Sequence, residues 1–259
     1  MSGNAGCGEN KKAKEATMKV LAFNSSPKMG KGNTALILNP FLDGMREAGA
    51  EVELFYVRKL KIKPCRGEFN CWTKNPGRCY QKDDMNMLLP KLMEADIRVL
   101  ATPVYVDGMS GPMKNLIDRT IPLAQPSFEI RDEHTRHPRR PGYKTGGKVV
   151  LVSTCGLWEM DNFDPMIAHM KAICKNWAKE FAGALLRPHA GGLRAMMRMG
   201  LPMDDIFEAA REAGRQLVEK GEMSPETLNV VSRELMSQDV FILFHNRGFA
   251  RVTEAGAAS

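Results

Sequence analysis

Ser25, Ser26, Lys28, Gly30, Lys31, Gly32, Asn33 and Thr34 stand between two apolar stretches: the strand-like MKVLAF of residues 18–23 and the helical spacing of residues 34–48. Hydroxyls, an amide, cations and glycines gathered at a helix start suit a phosphate monoester. The first N–H groups of a helix have no intrahelical acceptor, and the helix dipole is positive there. The Gly-x4-Gly-Lys-Ser/Thr loop of nucleoside-triphosphate binders is excluded, because Gly30-Lys31 is followed by Gly32 and no upstream glycine fits. The dinucleotide pattern Gly-x-Gly-x-x-Gly/Ala is met in part by Gly30, Gly32 and Ala35, with Glu53 as a ribose acid. Asn24 to Met29, however, separate it from the strand it should follow directly. An ordinary Ser/Gly-rich surface turn is the third alternative.

The second stretch with chemistry in it is CRGEFNCWTKNPGRCYQKDDM, residues 65–85, which holds Cys65, Cys71 and Cys79. Cys7, Cys155 and Cys174 complete the six cysteines. No secretory signal is recognisable in the polar residues 1–17, read as a disordered leader. Free thiols or metal ligation in a reducing, cytoplasmic setting are therefore expected rather than a disulfide framework. His134, His137, His169, His189 and His245 show no metal spacing. The net charge of +7 favours phosphate-bearing ligands. No zinc-finger spacing, RNA-recognition motif or basic helix argues for nucleic acid, and no apolar run is long enough to span a membrane.

The elements that must position these residues alternate. Strands are predicted at 18–23, 51–57, 97–105, 148–154 and 182–188, and helices at 34–48, 85–94, 110–121 and 162–181. A kink or late start is expected at Pro40, and Asp83 or Asp84 is expected to cap the helix at 85. Asp118 and Arg119 are read as a surface or interface pair. Residues 58–82 form an irregular cysteine-bearing loop and 124–147 a basic insertion. Beyond residue 190 the texture becomes helical, with Ser224 capping a helix that starts at Pro225. Such alternation implies a doubly wound α/β fold with a five-stranded parallel sheet over residues 18–190 and a helical extension over 191–259. Ligands in such sheets bind beyond the carboxyl ends of the strands. That rule selects the loops after Phe23, Thr102 and Ser153.

Three stretches in that order carry a resemblance: NSSPKMGKGNT at 24–34, ATPVYVDGMSGPMKNLIDR at 101–119 and STCGLWE at 153–159. They resemble the ligand loops of NADPH-dependent FMN reductases and iron–sulfur flavoproteins of the flavodoxin-like fold. The resemblance implies FMN as cofactor. Ser25, Ser26, Lys28, Asn33 and Thr34 fall on its phosphate positions. Pro103, Val104, Tyr105, Gly108, Met109, Ser110 and Gly111 fall on the loop meeting the flavin ring, and Thr154, Cys155 and Gly156 on the third loop. It also implies a [4Fe–4S] site, to which Cys65, Cys71 and Cys79 correspond with Glu68 in the fourth position. Carboxylate is a poorer ligand than thiolate for cluster iron, which favours a structural loop over a cluster.

The activity expected is an FMN-dependent oxidoreductase. It would take electrons from NAD(P)H and pass them to a quinone, a flavin, a small organic molecule or a protein. The bound cofactor would carry the redox chemistry, so no catalytic side chain is singled out. The resemblance implies a homodimer or larger oligomer. Three alternatives stay open: an electron-transfer iron–sulfur flavoprotein, a Rossmann-type dehydrogenase and a non-catalytic scaffold.

Overall fold

The computed structural model describes residues 17–257. The expected leader, with Cys7, lies outside them apart from Thr17. Five parallel strands form the central sheet: β1 (Lys19–Asn24), β2 (Glu51–Tyr56), β3 (Ile97–Tyr105), β7 (Lys148–Thr154) and β8 (Glu180–Arg187). Their order is β2-β1-β3-β7-β8. Phe23 pairs with Leu100 and Leu100 with Leu151, which aligns the ends of β1, β3 and β7 along one edge. With its strands taken in sequence this is the 2-1-3-4-5 order of the flavodoxin-like fold, not the 3-2-1-4-5-6 order of dinucleotide-binding sheets. A two-residue strand, β4 (Gly108–Met109), folds back antiparallel on β3.

Helices cover both faces. On one face α2 (Met85–Glu94), α3 (Gly111–Asp118) and α4 (Asp164–Trp177) bury Leu88, Leu92, Leu116 and Met170 against Phe23 and Leu151. On the other, α1 (Asn33–Glu47) packs Phe41 and Leu42 against Ala22 and Val99. The helix α1 starts at Asn33 and runs through Pro40, so the expected late start does not occur. An interior proline costs about 3 kcal/mol. Burying Ile37, Leu38, Phe41 and Leu42 offsets it, at about 2 kcal/mol for each side chain.

The C-terminal segment adds α5 (Ala190–Arg198), α6 (Asp204–Glu219), α7 (Pro225–Ser232) and α8 (Gln238–Ala257). The second of these crosses α1 with backbone against backbone: a Cβ on Gly44 would overlap the Arg211 carbonyl, and one on Gly214 the Phe41 carbonyl. Ser224 caps α7 as expected, its hydroxyl accepting from the Thr227 amide at 3.2 Å. Arg187, at the end of β8, donates to the carbonyls of Val231 (2.9 Å) and Arg233 (2.6 Å). It thus satisfies the last turn of α7.

Several boundaries differ from expectation. The helix α3 ends at Asp118 rather than 121, and α4 ends at Trp177 because Ala178 turns left-handed at φ 50°. The basic insertion contains a hairpin, β5 (Glu129–Arg131) with β6 (His134–Arg136), turned by Asp132 and Glu133 at φ 52° and 60°. Two left-handed residues in succession give a turn whose twist matches that of the strands.

Candidate functional site

At the ligand-binding edge β1 ends in buried Asn24, whose Oδ1 accepts from the Ser26 amide at 2.9 Å. This turn lifts the chain off the sheet. Ser25 faces the neighbouring strand: its amide donates to the Ala101 carbonyl at 2.9 Å, and its Oγ accepts from Ser110 Oγ at 2.7 Å. Both hydroxyls are thereby engaged at the base of the loops. The chain then passes Met29–Lys31 as a single 3-10 turn and enters α1 at Asn33, with Gly32 as N-cap. Gly32 is extended (φ −82°), so its need for glycine is steric: a Cβ there would stand 2.5 Å from Ser26 Oγ.

A cavity of about 190 Å³ opens above this turn. The first loop contributes Ser26, Pro27, Lys28, Gly32, Asn33 and Thr34, the end of β3 contributes Pro103, Val104 and Tyr105, and the end of β7 contributes Thr154, Cys155 and Gly156. Ala190, at the start of α5, closes one side. Thr34 and Thr154 share a hydrogen bond between hydroxyls at 3.0 Å, which fixes the helix start to the third loop. Of the residues expected here, Ser25, Gly108, Met109, Ser110 and Gly111 do not line the cavity. Gly108 and Met109 instead pair with Tyr105 and Val104 to hold a tight turn. That turn places Val106 at φ 47° and 97% exposed. A β-branched residue there is strained. Tyr105 is half exposed and offers a flat wall. Burial pushes the Cys155 thiol up, which disfavours the reactive thiolate.

One polar contributor was not anticipated. Arg194 of α5 donates from Nε to Asn33 Oδ1 at 2.8 Å and from Nη2 to the Lys31 carbonyl at 3.0 Å. Its distance in sequence from the loop hid it. With exposed Lys28 and Lys31 it gives the mouth of the cavity a positive field. Unpartnered helix amides, the Ser26 hydroxyl, cations and a glycine that admits no side chain form a set of groups that fits a phosphate.

The cysteine loop is organised by a different pair from the one expected. Asp118 pairs with Lys114 at 2.6 Å, one helical turn away. Arg119 turns inward to Asp83 at 2.6 and 3.0 Å, both side chains being 1% exposed. Arg119 also donates to the Lys63 carbonyl (2.6 Å) and Cys79 Sγ (3.4 Å). Asp83 further accepts from the amides of Lys63 and Met85 at 3.1 Å each. Burial opposes charge on Asp83, yet the hydrogen bonds from Arg119 and these amides hold its carboxyl below the usual carboxylate range. One buried pair therefore closes the loop at both ends.

Cys65, Glu68, Cys71 and Cys79 line a common void of only about 10 Å³ beside Arg119. Burial, then the neighbouring acidic groups, pushes the Cys71 thiol up to about 11. Among the described residues no three or more His, Cys, Asp or Glu side chains converge closely enough for a metal ion. A void of that size holds a water at most, and one of the four positions is a carboxylate. These residues, as arranged, do not fit a four-iron cluster.

Residues 18–159 match the family described as NADPH-dependent FMN reductase. An iron-sulfur flavoprotein of Archaeoglobus fulgidus is 35% identical over 130 residues, 50% of this chain and 62% of that protein. An iron-sulfur flavoprotein of Methanocaldococcus jannaschii is 36% identical over 116 residues, 45% of this chain and 58% of that protein. The chain thus spans less than two thirds of either relative's length. The crystal structure of an FMN-dependent NADH-azoreductase from Bacillus anthracis shares the fold at a TM-score of 0.58 and 12% identity, covering 78% of this chain and 100% of that one. The matched stretch contains all three cavity-lining loops and over half of the sequence, and on that ground the chain belongs to the NADPH-dependent FMN reductase family.

Proposed function

We propose that the chain is an FMN-dependent oxidoreductase that takes electrons from NAD(P)H and passes them to a quinone, a flavin, a small organic molecule or a protein. It would work in the cytoplasm as a homo-oligomer, with residues 191–259 as an extension of the 18–190 domain. Among the described residues no helix is long and apolar enough to cross a membrane. The observation that carries the reading is the convergence of three loops on one cavity at the start of α1.

Ser26, Lys28, Asn33 and Thr34, with the amides of the first helical turn, are the residues that would hold the phosphate. Pro103, Val104 and Tyr105 from one side and Thr154, Cys155 and Gly156 from the other would flank the ring. The bound flavin supplies hydride acceptance and electron transfer. The protein's part is to fix the phosphate, to offer apolar walls with few polar groups, and to leave a face open to donor and acceptor. The second reading, an electron-transfer iron–sulfur flavoprotein, draws on the relatives' names and on the gathering of three thiols, and is opposed by the misfit described above.

Titration of purified protein with FMN, followed by steady-state NADPH oxidation with and without a quinone, tests the proposal. The expected result is stoichiometric flavin uptake and acceptor-dependent turnover. Failure to take up flavin refutes it. Iron and sulfide analysis of anaerobically prepared protein separates the second reading, which requires both.

A further inference from the structure

A second, larger hollow adjoins the cradle. It encloses about 420 Å³, within the roughly 300–1,000 Å³ range of small-molecule sites. Asn33 and Gly156 line both hollows, so the two are neighbours. The floor is α5, where Gly191, Gly192 and Ala195 present almost no side chain. A Cβ on Gly191 would meet no atom within 4 Å, which leaves that floor clear for a flat molecule.

The facing wall is α8, from which Phe241, Phe244, His245 and Phe249 line the hollow. Phe244 and Phe249 are 51% and 61% exposed. Aromatic surface left open around a concavity marks a site of binding. His245 is the titratable side chain in this wall and offers a polar edge among aromatic faces. It lies between Phe241 and Phe249, with ring centroids 5.8 and 4.8 Å away.

The wall is tied to the cofactor loop. Trp158 Nε1 donates to the Met236 carbonyl at 3.0 Å, and Gln238 Nε2 donates to Glu159 Oε1 at 2.6 Å. Buried His189 stacks on Trp158 at 6.2 Å and meets Phe241 at a tilt, with centroids 5.8 Å apart. Apart from Asn33 and Gly156, every residue lining the hollow lies beyond residue 159, where the family match ends.

We infer that the α5–α8 hollow is the acceptor-specificity site, built to take a flat, apolar aromatic molecule such as a quinone next to the cofactor cradle. The inference rests on the proposed oxidoreductase reading and adds the substrate class. The overall reaction is balanced: the quinone takes up two electrons and two protons to give hydroquinone. NAD(P)H supplies one hydride and becomes NAD(P)⁺, and solvent supplies the other proton. His245 would donate a hydrogen bond to a quinone carbonyl oxygen.

Ala195→Trp places a bulky indole in the hollow from a residue that does not line the cradle. The direct readout is 1,4-naphthoquinone binding to the protein, followed by quenching of tryptophan fluorescence. With it go FMN affinity, turnover with naphthoquinone, turnover with ferricyanide as a small polar acceptor, and size on gel filtration. The expected result is about tenfold weaker naphthoquinone binding and a similarly raised KM, with FMN affinity and ferricyanide turnover within about twofold of the parent. Phe249→Ala, at an exposed position, is expected to weaken naphthoquinone in the same direction and guards against misfolding of the first variant.

Unchanged naphthoquinone affinity in both variants overturns the inference. Loss of FMN affinity on Ala195→Trp overturns it too, by assigning the hollow to the cofactor's own ring. A fall in oligomeric size with unchanged naphthoquinone kinetics overturns it in favour of a second copy of the chain. If the parent protein takes up no FMN, the oxidoreductase reading fails at once, and naphthoquinone binding still reports on the hollow by itself.

Discussion

Replacing Gly32 by alanine tests the cradle at its tightest point. The backbone there is extended and accepts alanine without torsional strain. The added Cβ would stand 2.5 Å from Ser26 Oγ and 3.3 Å from Lys28 Cβ. To reach ordinary contact distance the Ser26 hydroxyl must retreat by about 1 Å. A phosphate hydrogen bond lengthened that far is lost. A hydrogen bond to a charged group contributes about 1.5–3 kcal/mol, so FMN is expected to bind about 10- to 100-fold more weakly. The fold should lose no more than about 1 kcal/mol, the usual scale for alanine at an N-cap. Titration of flavin fluorescence against protein, with a thermal melt of each variant, separates the two effects. In a Ser26→Ala background the Gly32→Ala change should add little, since both act through one hydroxyl. A flavin affinity within twofold of the parent, in a variant that melts normally, would refute the placement of Ser26 at the phosphate.

Asp83→Asn leaves the Arg119 guanidinium buried without its counter-charge and is expected to cost about 3 kcal/mol of stability, read from urea unfolding. His189 is buried, and burial followed by the charge of Arg187 lowers its pKa from 6.5 to about 4. The unfolded chain therefore binds the proton first, and stability should fall as pH drops from about 7 to 4, by at most about 3 kcal/mol. His189→Phe should flatten that slope. Lys179 is lowered by burial from 10.5 to about 7, so stability should decline as pH falls from about 10.5 to 7 and stay level below it, a trend that Lys179→Met should remove. Gly214→Ala forces α6 away from α1 and is expected to destabilise by about 1–3 kcal/mol in the same urea assay.

The centre of the sheet was legible because β1, β3 and β7 are buried along most of their length and read as largely apolar runs. IRVLATPVY and KVVLVST coincide with β3 and β7 residue for residue. The cradle's first loop was legible because its chemistry is local, with donors and glycines packed into eleven residues, 24–34. Partners brought together only by folding were not. Arg194 reaches Asn33 across 161 positions, and Arg119 finds Asp83 rather than its chain neighbour. Ser25 and Ser110 have the right residue types for a ligand, yet their hydroxyls meet each other. The extension hid α5 and α8 for another reason. AGGLRAMMR opens with two glycines that weaken any helical signal, and VFILFH is apolar on every side, so it has no periodicity to read.

The backbone contacts of Gly44 with Arg211 and of Gly214 with Phe41 have a consequence for motion. With no side chain at either glycine, the helix that starts at the cradle and the one crossing it cannot slide or tilt independently. They behave as a single strut. Adjustment on ligand capture must then fall to the short connections above the sheet, and slow amide exchange along the middle of both helices, unaltered by flavin, is the signature to look for.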